Sequence, residues 1–378
     1  MNDTTIAFIG LGLIGGSLAK GIKRARPDIR IMAYMRTRSK LEQAKKDGIV
    51  DVILDGIDEQ LKQCDLIFLC TPVEYNAQYL SKIRSYLKPG ALITDVGSTK
   101  TDIHKEILRQ GLTDCFVGGH PMAGSEKTGY ENATDHLLEN AYYIVTPPEG
   151  FNQNGCGYGN ISPKYSENVK RIIAVAQTVG AIPLVLDYKE HDTVVAAISH
   201  LPHIIAYSLV NLVKSCDDCE GTMKTIAAGG FKDITRIASS SPTMWEHICA
   251  QNQSNISQIL GNYIETLNEA KKLVDAGDSQ GIYDMFDHSR NYRNSMPNGS
   301  AGPIKRAFEI YCDIPDEAGV IATIATILAS NALSIKNIGI VHNREFEEGV
   351  LRIEFYDSIS CEKAVALLQK HRYIVYER

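Results

Sequence analysis

Two polar residues stand where short apolar runs stop. Ser98 lies in DVGSTK, just after ALIT, and His120 lies in GGHPMAG, just after CFV. A hydroxyl near an imidazole suits removal of a proton from a substrate hydroxyl while a hydride leaves the same carbon. Histidine fits that task because its ordinary pKa of about 6.5 leaves much of it neutral, and so basic, near pH 7. Both residues end runs that read as strands. The two strands are expected to be neighbours, so that the side chains meet beyond one sheet edge.

A hydride needs an acceptor, and the first apolar run leads into a loop suited to one. TIAFI passes directly into Gly10-Leu11-Gly12-Leu13-Ile14-Gly15 and then into a helical stretch. A GxGxxG loop between a strand and a helix is the context a dinucleotide-binding turn requires. Gly10 would permit the tight turn, Gly12 the approach of a pyrophosphate, and Gly15 close helix–strand packing. The helix that opens at Leu13 and Ile14 would offer free N–H groups and a positive dipole end to the phosphates. The second strand ends in Met35-Arg36-Thr37-Arg38, with no acid for a ribose 2′-hydroxyl. Arg36 and Arg38 either take a 2′-phosphate or are solvated arginines on an exposed turn. NAD and NADP both stay open, with the balance tipped to NADP. Thr71-Pro72, after DLIFLC, falls on the same edge and is assigned to the cofactor site. The bare glycines before His120 are expected to let cofactor and substrate come close.

These residues need a frame. Residues 1–188 alternate apolar runs (TIAFIG, IRIMAY, DLIFLC, ALITDV, CFVGG, YYIVTP, IPLVLD) with helical stretches. That pattern predicts an α/β domain with a doubly wound, Rossmann-type parallel sheet covered on both faces. From 189 to 297 the strand signal vanishes and long apolar helical spacing replaces it. Helices so apolar need more burial than one small bundle gives, which points to a homodimer interface. MPNGSAG is a linker, and residues 303–378 read strand, helix, strand, strand, helix, strand, a ferredoxin-like βαββαβ unit.

The totals exclude other classes. A net charge of −6 argues against nucleic acid or an anionic membrane as partner. No apolar run is read as reaching the ~18 residues of a membrane span, and a strand starts too early for a signal peptide. The nine cysteines, odd in number and scattered, suggest reduced thiols and a cytoplasmic protein. Cys216 and Cys219 form one CxxC, without a second pair to complete a zinc site, so no metal is expected.

GLGLIGGS, DVGSTK, GGHPMAGSEKTG, HDTVVAAISHLPH and FKDITRIASSSPTMW resemble the successive motifs of the prephenate/arogenate dehydrogenase family, in the same order, over about the first 300 residues. The resemblance implies NAD(P)-dependent oxidative decarboxylation of prephenate to 4-hydroxyphenylpyruvate, in tyrosine biosynthesis, by a dimer. Residue by residue, His120 would draw off the proton of the ring hydroxyl and Ser98 would support the same hydroxyl. Arg236 would hold a carboxylate, with Lys232 a helical turn away as a further cation. Ser125 and Glu126 would shape the entrance, and His200 and His203 would line the site. His191 is read as a residue that caps or pairs locally, and Met244 and Trp245 as core packing.

DIPDEAGVIATIATILASNALSIKNIGI resembles the opening of an ACT domain, a ligand-sensing module. That implies Asp316, Gly319 and Asn337 as effector-binding residues and tyrosine as a feedback inhibitor. Arogenate in place of prephenate is the nearest alternative. A β-hydroxyacid dehydrogenase is farther, since that family uses a lysine as its main acid/base, and a non-enzymatic nicotinamide and amino-acid sensor is farther still.

Overall fold

The computed structural model describes residues 4–72, 75–124, 127–148, 163–296, 308–315, 317, 319–341 and 349–377. They form two compact units, Met1–Phe286 and Asp287–Arg378.

In the first unit, β1 (Thr5–Ile9), β2 (Arg30–Tyr34), β3 (Val52–Ile53), β4 (Leu66–Leu69) and β5 (Leu92–Asp95) make a parallel sheet in the order β3-β2-β1-β4-β5. Alternation along each strand sends side chains to two cores. Phe8, Phe68 and Leu92 pack under α1 (Leu13–Ala25), whereas Ile9, Leu69 and Ile93 pack under α3 (Asn76–Arg84) and α4 (Thr101–Gln110). Phe8 and Phe68 stack at 4.8 Å on neighbouring strands. α2 (Arg38–Lys46) links β2 to β3.

One expectation needs correction. The remaining strands, β6 (Gly118–Pro121), β7 (Tyr142–Thr146) and β8 (Ile182–Val185), form a separate three-stranded sheet in which β6 and β7 are antiparallel. Among the described residues, a short 3₁₀ turn at Tyr130–Asn132 is the regular element between them, and a parallel pair needs a long crossover. β7 and β8 are parallel because α5 (Pro163–Thr178) supplies that crossover. The two sheets meet where Ile93 bridges Phe116, with Val117 N–H donating to Ile93 O at 3.1 Å. β6 therefore runs beside the end of β5.

Helices follow: α6 (Tyr188–Val195), a π-helical turn Ala196–His200, α7 (Leu201–Cys216), α8 (Thr222–Ile226), α9 (Gly229–Thr235), α10 (Pro242–Gln251), α11 (Gln253–Ala276) and α12 (Ser279–Ser295). Contrary to the expectation from the sequence, the continuous helix Tyr188–Cys216 is long and apolar enough to span a membrane by length and composition, with its charged residues (Lys189, Glu190, Asp192 and Lys214) toward its ends. Large apolar side chains stand exposed on these helices, among them Ile198 at 64% and Leu212 at 60%. A surface of that kind is normally covered by a partner.

The second unit is the expected βαββαβ: β9 (Phe308–Ile314), α13 (Val320–Ser330), β10 (Ile335–Val341), β11 (Gly349–Phe355), α14 (Ser358–Lys370) and β12 (Val375–Glu377), with sheet order β10-β11-β9-β12. Ile310, Cys312, Leu351 and Ile353 pack under Ile324, Leu328, Ala364 and Leu368.

Candidate active site

The glycine loop is built for close approach. Gly10 has φ +93° and donates to Tyr34 O at 2.7 Å; a Cβ there would stand 2.6 Å from Cys70 O. A Cβ on Gly15 would stand 2.8 Å from Gly10 O, so both positions admit only glycine. Gly12 caps α1 without any side-chain bond, and nothing lies within 4 Å of where its Cβ would be. The half-buried first turn, Leu13 and Ile14, thus faces open space with unsatisfied N–H groups, a seat for an anion.

A cavity of about 710 Å³ opens beside it at the end of β2, lined by Tyr34, Arg36, Tyr75, Tyr79, Lys82 and Tyr86, with no acid in its lining among the described residues. Arg36 lies over the Tyr75 ring at 5.1 Å. Arg38 is turned away, paired with Asp55 and, at 3.5 Å, with Glu42. Thr37 caps α2 without a side-chain bond. Thr71 donates to Asn76 Oδ1 at 3.2 Å, and Pro72 is exposed.

The centre of the site hangs on two buried acids. Asp95, at the end of β5, pairs with Lys100, and both side chains are fully buried. Asp95 also accepts from Gly97 N at 2.9 Å and from Gly119 N at 3.2 Å, which fixes β6 against β5. A Cβ on Gly119 would stand 2.7 Å from Asp95 O and 2.8 Å from Tyr143 Oη, and one on Gly118 would strike Thr146 Oγ1. This corrects the sequence reading. The glycines before His120 let strands and buried polar groups meet, and their first service is not to a ligand.

The second acid is Asp192 in α6. Its Oδ1 accepts from Lys100 N and its Oδ2 from Thr101 N, both at 2.8 Å, so it caps α4, which has no side-chain cap of its own. Asp192 Oδ1 lies 2.8 Å from His191 Nδ1, and His191 Nε2 lies 2.8 Å from His120 Nδ1. Asn252, between α10 and α11, donates to Asp192 O at 2.7 Å and meets His200 Nδ1 at 3.2 Å. Thr99 donates to the neighbouring Gln251.

The π turn explains how His200 reaches that network. In a regular α-helix, a residue nine positions after His191 would point to the opposite side; one extra residue in the turn takes back about 100°. His191 and His200 then serve the same buried corner. Burial pushes the His120 imidazole well below its usual range, with His191 and Lys100 adding to the effect. Burial likewise lowers His191 and takes His200 down to about 4. Burial alone would raise Asp192, but the bonds from His191 and Thr101 outweigh it and hold the carboxyl low. The site thus presents neutral imidazoles backed by one ionised carboxylate.

Ser98 is half-buried on the loop after β5, near the strand that carries His120, yet the ring bond of His120 goes to His191. His203 stacks on Trp245 at 3.8 Å and bonds Ser199 O at 2.9 Å. Arg236, exposed at the head of a 3₁₀ turn, is close enough to depress His203 behind the effect of burial. Lys232 is exposed on α9. Trp245 packs half-buried against the two imidazoles, with His200 edge-on at 5.9 Å, whereas Met244 is 46% exposed, so the core-packing reading fails for Met244. His191 is no mere local cap. Its signal in the sequence is the adjacent His-Asp pair, whereas Asn252, which also joins the network, carries none. Ser125, Glu126 and Asp316 lie outside the described residues. In the second unit, Gly319 caps α13 at φ +96° and Asn337 is exposed on β10. Cys216 and Cys219 are exposed free thiols, and among the described residues no group of three or more ligands could hold a metal.

Residues 18–155 match the family model "Prephenate dehydrogenase, nucleotide-binding domain", and residues 187–288 match "Prephenate dehydrogenase, dimerization domain". A prephenate dehydrogenase of Bacillus subtilis is 37% identical over 96% of this chain and 95% of its own length. The crystal structure of the A. aeolicus prephenate dehydrogenase with hydroxyphenyl propionate and NAD+ is similar at TM-score 0.69 and 29% identity, over 78% of this chain and 98% of that one. Synechocystis arogenate dehydrogenase is similar at TM-score 0.65 and 27% identity, over 77% and 99%.

Proposed function

The chain belongs to the prephenate dehydrogenase family, and from that premise we propose that it converts prephenate to 4-hydroxyphenylpyruvate with NAD and loss of carbon dioxide. The observation that carries the reading is His120. It is a neutral imidazole beside the end of β5, in the same sheet edge as the open helix N-terminus at Gly12. NAD held at the Gly10–Gly15 loop would supply the hydride acceptor. The chain's own residues handle the rest. His120 draws the ring-hydroxyl proton as the C–H pair leaves, and Ser98 supports that hydroxyl. The bonding pair of the carboxylate then enters the ring, which becomes aromatic, and the proton returns to the phenol oxygen. No net proton is released, and no covalent nucleophile is needed.

Arg236 and Lys232 hold substrate carboxylate, Ser125 and Glu126 guard the entrance, and His200 and His203 line the pocket. Gly10, Gly12, Leu13, Ile14, Gly15, Thr71 and Pro72 would hold the dinucleotide, with Arg36 and Tyr75 lining the cavity at the end of β2. NAD is favoured over NADP because Arg38 is engaged by Asp55 and Glu42, which leaves one arginine for a 2′-phosphate. The exposed apolar faces of the helices support a homodimer, with a partner subunit rather than lipid covering them. We divide the chain into a Rossmann domain (1–188), a helical dimerisation domain (189–297) and an ACT domain (303–378) that binds tyrosine through Asp316, Gly319 and Asn337.

Initial rates with NAD+ and NADP+, each with prephenate and arogenate, test the assignment. Turnover is expected with NAD+ and prephenate. Absence of turnover in all four mixtures would overturn it. Tyrosine is expected to inhibit, and Asn337→Ala to weaken that inhibition; equal inhibition of both proteins would remove Asn337 from the sensor.

A further inference from the structure

The hydrogen positions along the buried chain behind His120 follow from one anchored end. Asp192 accepts two backbone N–H groups, from Lys100 and Thr101, so it faces the chain as an ionised, acceptor-only carboxylate. The contact of 2.8 Å between its Oδ1 and His191 Nδ1 therefore requires a hydrogen on that nitrogen. A neutral imidazole has one N–H, so His191 Nε2 is bare and can only accept. At 2.8 Å from it, His120 Nδ1 must donate. That leaves the lone pair of His120 on Nε2, the nitrogen away from His191.

We propose that Asp192 and His191 are positioning residues that lock His120 as its Nδ1–H tautomer and share the proton it takes from substrate. When the hydroxyl proton moves to His120 Nε2, the Nδ1 hydrogen shifts toward His191 Nε2, and the positive charge spreads over two rings toward Asp192. When the ring aromatises, the shift reverses. N–H bonds form and break in pairs, and no co-reactant is consumed. A lone imidazolium here would be costly, because the site is desolvated and Lys100 is close. The other charged or titratable neighbours do not substitute for Asp192. Asp95 is committed to Lys100, and His200 offers Nδ1 as acceptor to Asn252. His104 is bonded to Thr146 through Nε2.

The reaction assigned above supplies the kinetic consequence, but the tautomers do not depend on it. Histidine-selective ¹⁵N NMR of the full-length protein, without substrate, reads them directly, with His120→Asn and His191→Asn spectra used for assignment. The expected result is Nδ1–H with a bare Nε2 at both His120 and His191, the reverse of the form favoured by imidazole in water. Asp192→Ala removes the acceptor that faces His191 Nδ1 and should release both rings from the fixed Nδ1–H form. With prephenate, kcat should then fall by about 10²–10⁴-fold, while KM and the NAD Kd stay within about threefold. Nε2–H at His120 in the unaltered protein would overturn the proposal, whether or not the variant folds. So would an Asp192→Ala protein with unchanged tautomers and kcat. Expected tautomers without turnover of any substrate would instead support the lock and sink the assigned reaction.

Discussion

Asp192 Oδ1 accepts the backbone N–H of Lys100 at 2.8 Å across a sequence gap of 92 residues. The helical part of the first unit thereby caps α4 with the same carboxylate that faces His191. Asp192→Ala should cost about 1–2 kcal/mol for the lost cap and about 1–3 kcal/mol more for the buried donor it strands. Urea denaturation reads the sum. A midpoint equal to that of the unaltered protein would show that water replaces the carboxylate at no cost.

Gly119→Ala places a methyl against Asp95 O and Tyr143 Oη, both nearer than 3 Å. Backbone on one side cannot give way cheaply, so a loss of about 1–3 kcal/mol is expected. Because Gly119 N–H also ties β6 to Asp95, activity should fall with stability. Calorimetry and initial rates on the same preparation check the pairing of the two effects.

Acid should destabilise the protein before carboxylates titrate. His104 is held at about 3 and His200 at about 4, each chiefly by burial, with an ordinary value near 6.5. Their folded values are depressed, so the unfolded chain binds more protons below pH 6.5. Stability is complete above that pH and falls toward the folded values. Linkage gives about 2 kcal/mol for each group by pH 5. His104→Gln should flatten the fall between pH 6.5 and 4, as followed by urea midpoints. An unchanged slope would mean that His104 is already charged in the fold.

The two ends of the substrate site should separate kinetically. His120→Asn is expected to lower kcat by about 10²–10⁴-fold with little change in KM. Arg236→Gln should raise KM for prephenate by about tenfold or more, since a carboxylate loses a charged partner, while kcat changes less. The opposite split would exchange or discard the two roles.

How far the sequence carried this picture depends on the distance each feature spans. The strands of the parallel sheet and the Gly10–Gly15 turn were legible because alternation and turn chemistry are local. The antiparallel turn-back of β6 onto β7 was not, since it depends on a connection that lacks a crossover helix. His120 was legible from its place at a strand end. His191 lies 71 positions away from it, and that contact exists only once α6 has docked. Asn252 is more remote still, and nothing local marks it. The glycines at 118 and 119 were recognised as necessary, but for a ligand's sake, because the buried polar groups they accommodate come from β5, α4 and β7.

The π turn at Ala196–His200 already absorbs one extra residue, so this helix is intolerant of a second. Inserting one more residue, after Ala197 for instance, would exceed what that turn takes up and rotate all of α7 by about 100° against α6. His203 and Trp245 would part from the corner that holds His191, and the apolar stripe of α7 would face a new direction. Substitutions along this segment can be absorbed one at a time, whereas a single-codon insertion would uncouple the site from the apolar face of α7 in one step.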